Sequence, residues 1–275
     1  MQLGLINSAW EGSPLSLVEG VRKTKEIGFD TMDVTATFDP LIITAEDKRQ
    51  LKGAAEEVGL PIVSVCCVAV GLIDFNPAVQ QFHLDRCRRY LDLGAELEAK
   101  NLLLVIGEYI WQKEVIPPEE QWKWGVENVR QLGEYAAERG LEIALELEPF
   151  ALSLINCVDE MVRFLDDVNH PAVKANCDIS HLHLVRTPFA DVAKLAGRIG
   201  HVHLSDCDGE KHGDLPPGRG VTPIKEYLAA IRDTGFNGVV SIELEFAPDP
   251  GRIVEWVSEA YRETDKIMRE LGCRG

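Results

Sequence analysis

The chain has 275 residues, 45% hydrophobic and 27% charged, the balance of a soluble globular protein that can bury a large core without staples. Its formal net charge of −17 argues against nucleic acid as a partner, because phosphate backbones are held through clustered Lys and Arg. The longest apolar run, residues 62–73, is too short for a membrane span of ~20 residues, so no membrane partner is expected.

In chain order, short β-type runs alternate with longer helical patterns about eight times. The strand candidates span residues 3–7, 31–36, 61–69, 101–107, 142–148, 173–179, 200–206 and 239–246. Between them lie helical stretches such as 44–59 and 119–140. Gly28, Gly59, Gly140 and Gly235 each stand just before a strand, the C-terminal signal of a helix at an αβ turn. Asn156 and Thr187-Pro188 read as helix starts. Strand alternating with helix implies parallel strands and crossover helices. Eight units at this length predict a single (β/α)8 TIM barrel over 1–275, and no G-x-G-x-x-G follows the first strand to favour an open dinucleotide-binding sheet. The stretch "GDLPPGRGVTP" at 213–223 reads as a long loop.

Seven scattered cysteines without C-x-x-C spacing read as reduced thiols. With no basic n-region or cleavage motif at the start, a cytoplasmic protein is expected.

Residues two apart in a strand share a face. Glu146 and Glu148 thus lie opposite Ile143, Leu145 and Leu147, while Glu243 and Glu245 lie opposite Val240, Ile242 and Leu244. His201 and His203 oppose Val202 and Leu204, and Asn176 shares a face with Asp178. Four late strands therefore carry one apolar face, for the helices, and one face of acids and imidazoles, for the barrel interior or mouth. Glu146, Asp178, His203 and Glu243 converge near the C-terminal strand ends, where barrel active sites sit. An inward carboxylate is costly unless paired or metal-bound. Oxygen donors with one nitrogen suit a divalent cation, Mn²⁺ foremost, with Mg²⁺, Co²⁺ or Zn²⁺ as alternatives. The competing account leaves these acids exposed at strand ends and paired with loop cations.

"IALE" with Asn156 ten residues after its Glu, "CDISH" (177–181), "HVHLSD" (201–206), "PPGRG" (216–220) and "VVSIELEF" (239–246) occur in matching order and spacing. Together they resemble the xylose-isomerase-like TIM barrels of the sugar isomerase and epimerase superfamily, which includes inosose isomerase, hydroxypyruvate isomerase and D-tagatose 3-epimerase. The resemblance implies Glu146, Asp178, His203 and Glu243 as metal ligands, Glu146 and Glu243 as proton carriers, and His181 as a contact to a substrate oxygen. The implied substrate is a small-molecule sugar or keto-polyol. The implied chemistry is proton abstraction beside a metal-bound carbonyl through an enediolate. It also implies a homo-oligomer, which no feature of the sequence itself shows.

There are departures. D-tagatose 3-epimerase-like sequences have Arg six residues beyond the histidine ligand, where this chain has Gly209; Lys211, His212 and Arg219 are the substitutes in that loop. Glu148 is expected to reach the mouth and hydrogen-bond substrate or a loop cation, and Trp10 either walls the mouth or packs under a loop; Trp111 reads similarly. His201 reads as a core histidine, and Lys174 as the neutraliser of a carboxylate low in the barrel. The altered loop also suits the lyases of the superfamily, which eliminate on keto-inositols or 3-keto-glycosides. The endonuclease branch needs further histidines on strands three and four, and there are none.

Overall fold

Eight parallel strands pair in sequence order and close on themselves, β8 against β1. The computed structural model describes residues 1–106, 116–245 and 249–274. The strands are β1 Gln2–Ile6, β2 Thr31–Val34, β3 Ile62–Val68, β4 Asn101–Val105, β5 Glu142–Glu146, β6 Val173–Asp178, β7 Ile199–Leu204 and β8 Val239–Ile242. Around them run α1 Leu17–Ile27, α2 Ala45–Val58, α3 Pro77–Glu96, α4 Pro118–Ala137, α5 Val158–Val168, α6 Ile179–Leu184, α7 Ile224–Asp233 and α8 Ile253–Glu270. This is the (β/α)8 barrel that the alternation predicts. Trp111, Gly107 and Phe246 lie outside the described residues.

Local chemistry sets the helix ends. Ser16 and Thr44 open α1 and α2 with capping boxes completed by Glu19 and Asp47. Gly59 closes α2 in the left-handed conformation, φ +62°, that favours glycine. Asn156 does not start α5; that helix begins at Val158 after Cys157. Its side chain instead donates to the carbonyls of Phe150 and Ala151, closing the β5–α5 loop.

Parity divides the core as the sequence implies. Outward residues such as Leu3, Leu5, Val65, Leu102, Leu104, Ile143, Leu145, Val202, Val240 and Ile242 join the large core beneath the helices. A small separate apolar cluster, Ile6, Cys66, Leu103 and Val105, fills the lumen on the side of the early strands. Polar lumen positions are lined up by register on the late strands, Asn176 beside His201 and Asp178 beside His203. Gly4 sits where a Cβ would lie 2.6 Å from both the Ser241 and Thr31 hydroxyls, so barrel closure at β1 requires a bare backbone. Lys174 does not neutralise a lumen carboxylate. Its Nζ donates to the Gly197 carbonyl at 3.5 Å.

Among the described residues no helix is long and apolar enough to cross a membrane.

Candidate active site

Glu146 ends β5, Asp178 ends β6, His203 lies on β7, and Glu243 follows β8, still hydrogen-bonded through its N–H to Leu204 O at 3.0 Å. Each offers one donor atom, and the four atoms lie within 4.8 Å of one another. His203 Nδ1 is 3.1 Å from Glu243 Oε2 and 3.6 Å from Glu146 Oε1. The histidine thus stands between carboxylates arriving from opposite flanks of the β6–β7 pair.

Asp178 divides its carboxylate between folding and the cluster. Its Oδ1 caps α6 by accepting from the His181 N–H and the Ser180 hydroxyl, each at 2.8 Å. Its Oδ2 is buried without a hydrogen-bond partner. A bare buried oxygen, two further carboxylates and an imidazole nitrogen at this spacing fit a divalent cation, which would satisfy all four. The alternative of exposed acids paired with loop cations does not hold, because Glu146, Asp178 and His203 are buried.

The electrostatics are those of packed like charges. Burial raises the Glu146 carboxyl well above the usual range, aided by the Glu243 and Glu148 carboxylates, with His203 opposing. Burial also pushes Asp178 upward, but His181, His203 and the His181 N–H outweigh it and hold it low. His203 is raised despite burial, by Glu243, Asp33 and Glu146.

Below the cluster lies a support that the sequence did not single out. Asp33 Oδ2 takes a hydrogen bond from His201 Nε2 at 2.7 Å and stands 3.6 Å from His203 Nε2. A carboxylate behind one imidazole nitrogen leaves Nδ1 directed at the cluster, the usual orientation of a metal-ligating histidine. His201 is the hydrogen-bonded core histidine expected of it. Asn176 fixes Glu146 from the neighbouring strand, Nδ2 donating to Oε1 at 2.7 Å.

The other expected residues divide. His181 is buried; its Nδ1 donates to the Leu147 carbonyl at 2.7 Å, and its Nε2 has no hydrogen-bond partner. Burial disfavours its charge, but Asp178, Glu148 and Glu146 prevail and raise its pKa to about 10, so it presents an Nε2–H donor beside the cluster. Glu148, buried after β5, acts on both Glu146 and His181. His212 packs its ring 4.7 Å from that of His181. Arg219 is not brought to the cluster: it forms a two-pronged pair with Glu259 at 2.9 and 2.7 Å and lies over Trp256, both on α8. Trp10 does not face the cluster either. Its indole is buried against Gly20 of α1, with Nε1 donating to Thr24 Oγ1 at 2.9 Å.

The β7–α7 loop has its own organiser. Asp206 accepts hydrogen bonds from the backbone N–H groups of Cys207, Gly218, Gly220 and Thr222 at 2.8–3.0 Å. At Gly220 a Cβ would meet Cys207 O at 2.1 Å, so the fold of "PPGRG" depends on that glycine. Asp214, also missed in the sequence, is brought by this loop to 1% exposure. No strand periodicity marks either aspartate; only the crowding of acids and glycines there was a signal.

A closed eight-stranded barrel with a carboxylate and histidine cluster at its C-terminal mouth defines a class of barrels able to hold a metal. The model of the xylose isomerase-like TIM barrel family matches residues 21–265, and the chain belongs to that family. The chain is 32% identical over 235 residues to D-psicose 3-epimerase from Enterocloster bolteae, covering 80% of this chain and 74% of that one. It is 24% identical over 255 residues to fructoselysine 3-epimerase from Escherichia coli O157:H7, covering 89% and 90%. A crystal structure of the IOLI protein with a bound zinc atom superposes with a TM-score of 0.85 at 20% identity, covering 98% of this chain and 99% of the other.

Proposed function

We propose that the protein is a divalent-metal-dependent isomerase or epimerase of a ketose, keto-polyol or sugar derivative, working by proton transfer beside a carbonyl. The observation that carries this reading is the placement of Glu146 and Glu243 on either side of His203 Nδ1, at 3.6 and 3.1 Å. Membership of a family in which this chain's relatives include several sugar 3-epimerases supports the same reaction class.

Glu146, Asp178, His203 and Glu243 would hold the cation. A bound divalent ion would supply Lewis acidity to a carbonyl and the hydroxyl beside it, and the zinc atom of the similar IOLI structure supports a cation at this mouth. The chain's own groups do the rest. Two carboxylates from opposite flanks suit removal of a proton from one face of a carbon and its return to the other. Burial and neighbouring carboxylates raise the proton affinity of Glu146 in the metal-free cluster. His181, held by the Leu147 carbonyl, orients a substrate oxygen through Nε2–H. Asp33, 3.6 Å behind His203 Nε2, favours the ring orientation that turns Nδ1 to the cluster.

The test is a panel of ketohexoses and keto-inositols incubated with protein loaded with Mn²⁺, Co²⁺ or Zn²⁺, and products separated by chromatography. Epimer formation that stops on chelation and returns with metal is expected. Glu146→Gln and Glu243→Gln should each lower kcat by about 10²–10⁴-fold. Loss of water or of an aglycone would instead make the protein a lyase on the same site, and no conversion by fully metal-loaded protein would refute the reading.

A further inference from the structure

The β7–α7 loop buries a carboxyl that the quartet does not use. Asp214 is 1% exposed, and its φ of +41° puts a non-glycine residue in the left-handed region. Its Oδ1 accepts from the Ser205 hydroxyl at 2.9 Å and lies 3.6 Å from His212 Nε2. Its Oδ2 is buried and has no hydrogen-bond partner. Buried polar atoms are almost always paired, and strained backbone persists where the surroundings enforce it. Here the surroundings are explicit: Asp206 collects four backbone N–H groups of the loop, and Gly220 lets the chain pass.

The direction of that spare oxygen follows from its neighbours. Ser205 is two residues beyond His203, and the charges that bear on Asp214 are those of Glu243, Asp178 and Glu245. His212, on the same loop, has its ring 4.7 Å from His181, whose own Nε2 lacks a partner. Two unsatisfied polar atoms, on Asp214 and His181, thus stand on the same side of the mouth with an imidazole between them.

We propose that Asp214, with His212 beside it, is a specificity-determining residue that binds a substrate hydroxyl on the β7 side of the mouth. This rests on the sugar-isomerase reading above. The wall assigns the ligand's chemistry. Asp214 Oδ2, the Ser205 hydroxyl on its other oxygen and His212 Nε2 at 3.6 Å are grouped as hydrogen-bonding atoms. Among the described residues, the positive charges that act most on Glu146 and Asp178 are the imidazoles of His203, His181 and His212. Such a surface takes polyol hydroxyls and disfavours a phosphate or carboxylate at that end of the substrate.

The experiment uses the metal-loaded full chain with D-fructose, D-psicose, their 4-, 5- and 6-deoxy analogues, and D-fructose 6-phosphate. Asp214→Ala should raise KM for the ketose at least tenfold, with kcat falling less than KM rises, and Asp214→Asn should recover most of that loss. Wild type should discriminate against one deoxy analogue, and Asp214→Ala should erase that penalty. His212→Ala, at a partly exposed position, gives the same direction of change should the Asp214→Ala chain fail to fold. Bound metal per chain should stay at the wild-type value throughout. Unchanged KM and unchanged deoxy penalties in an active background overturn the proposal while leaving the isomerase reading intact. So does loss of metal in both Asp214 variants, or a tenfold preference for the phosphorylated sugar. Wild-type protein that neither binds a ketose by calorimetry nor converts one removes the isomerase reading itself, and this proposal with it.

Discussion

Asp178 shows how one residue serves folding and chemistry together. Its capping oxygen starts α6 and so places His181, while the other oxygen has no hydrogen-bond partner and could hold a cation. Asp178→Asn keeps a capping oxygen, and should therefore fold normally yet bind metal at least tenfold more weakly by calorimetric titration. Asp33→Asn should weaken metal binding by about 10–100-fold, since it removes the carboxylate that orients His203 without touching the quartet. Protonation gives a third outcome at this scale. His203 and Glu146 both have raised pKa values, so each holds a proton to higher pH than usual, and a cation must displace it. Affinity should therefore rise with pH through the neutral range, with proton release seen as buffer-dependent heat; a pH-independent affinity would contradict the assignment. Much of this was legible from the sequence, because a period of two sends Glu146, His203 and Glu243 to the same side as Asn176 and Asp178. Asp33 was not, since one acid in the short run "TMDV" carries no such pattern.

Among the elements, strands were easier to read than loops, and the reason is physical. A strand's two faces meet different environments, so burial writes its alternation into the sequence; a loop's shape comes from particular hydrogen bonds that leave no period. Arg219 illustrates this: the fold Asp206 imposes on "PPGRG" turns its guanidinium onto Glu259 and Trp256 rather than into the mouth. Trp10 was open to two readings, and packing against Gly20 decided for the core. Leu104, fully buried on the outer face of β4, should cost about 2–5 kcal/mol when changed to Ala, whereas Val68, 37% exposed at the mouth, should cost under about 1 kcal/mol; denaturant unfolding compares them. Gly220→Ala should leave the barrel folded, lower its melting temperature modestly and impair ketose binding more than metal binding, because the clash is confined to the loop that carries Asp214.

At the scale of the molecule, the barrel places acids from non-neighbouring strands close together, a mutual repulsion that a bound cation would relieve. Ligand linkage then ties stability to the metal: at a hundredfold excess over Kd, binding adds about 2.7 kcal/mol, which for a chain of this size is a rise in melting temperature of roughly 5–10 °C, reversed by a chelator. The closed barrel and its parity followed from the alternation of eight strands with helices. The choice among sugars did not, because it resides in loop residues such as Asp214 and His212 whose positions depend on tertiary hydrogen bonds. The most direct measurement of the central claim is NMR of a ketose incubated in D₂O with the metal-loaded protein. Deuterium entering at the carbon beside the carbonyl, with the carbon skeleton retained and exchange abolished in Glu146→Gln or Glu243→Gln, is the predicted result. No deuterium entry into any ketose, from protein carrying one cation per chain, would contradict it.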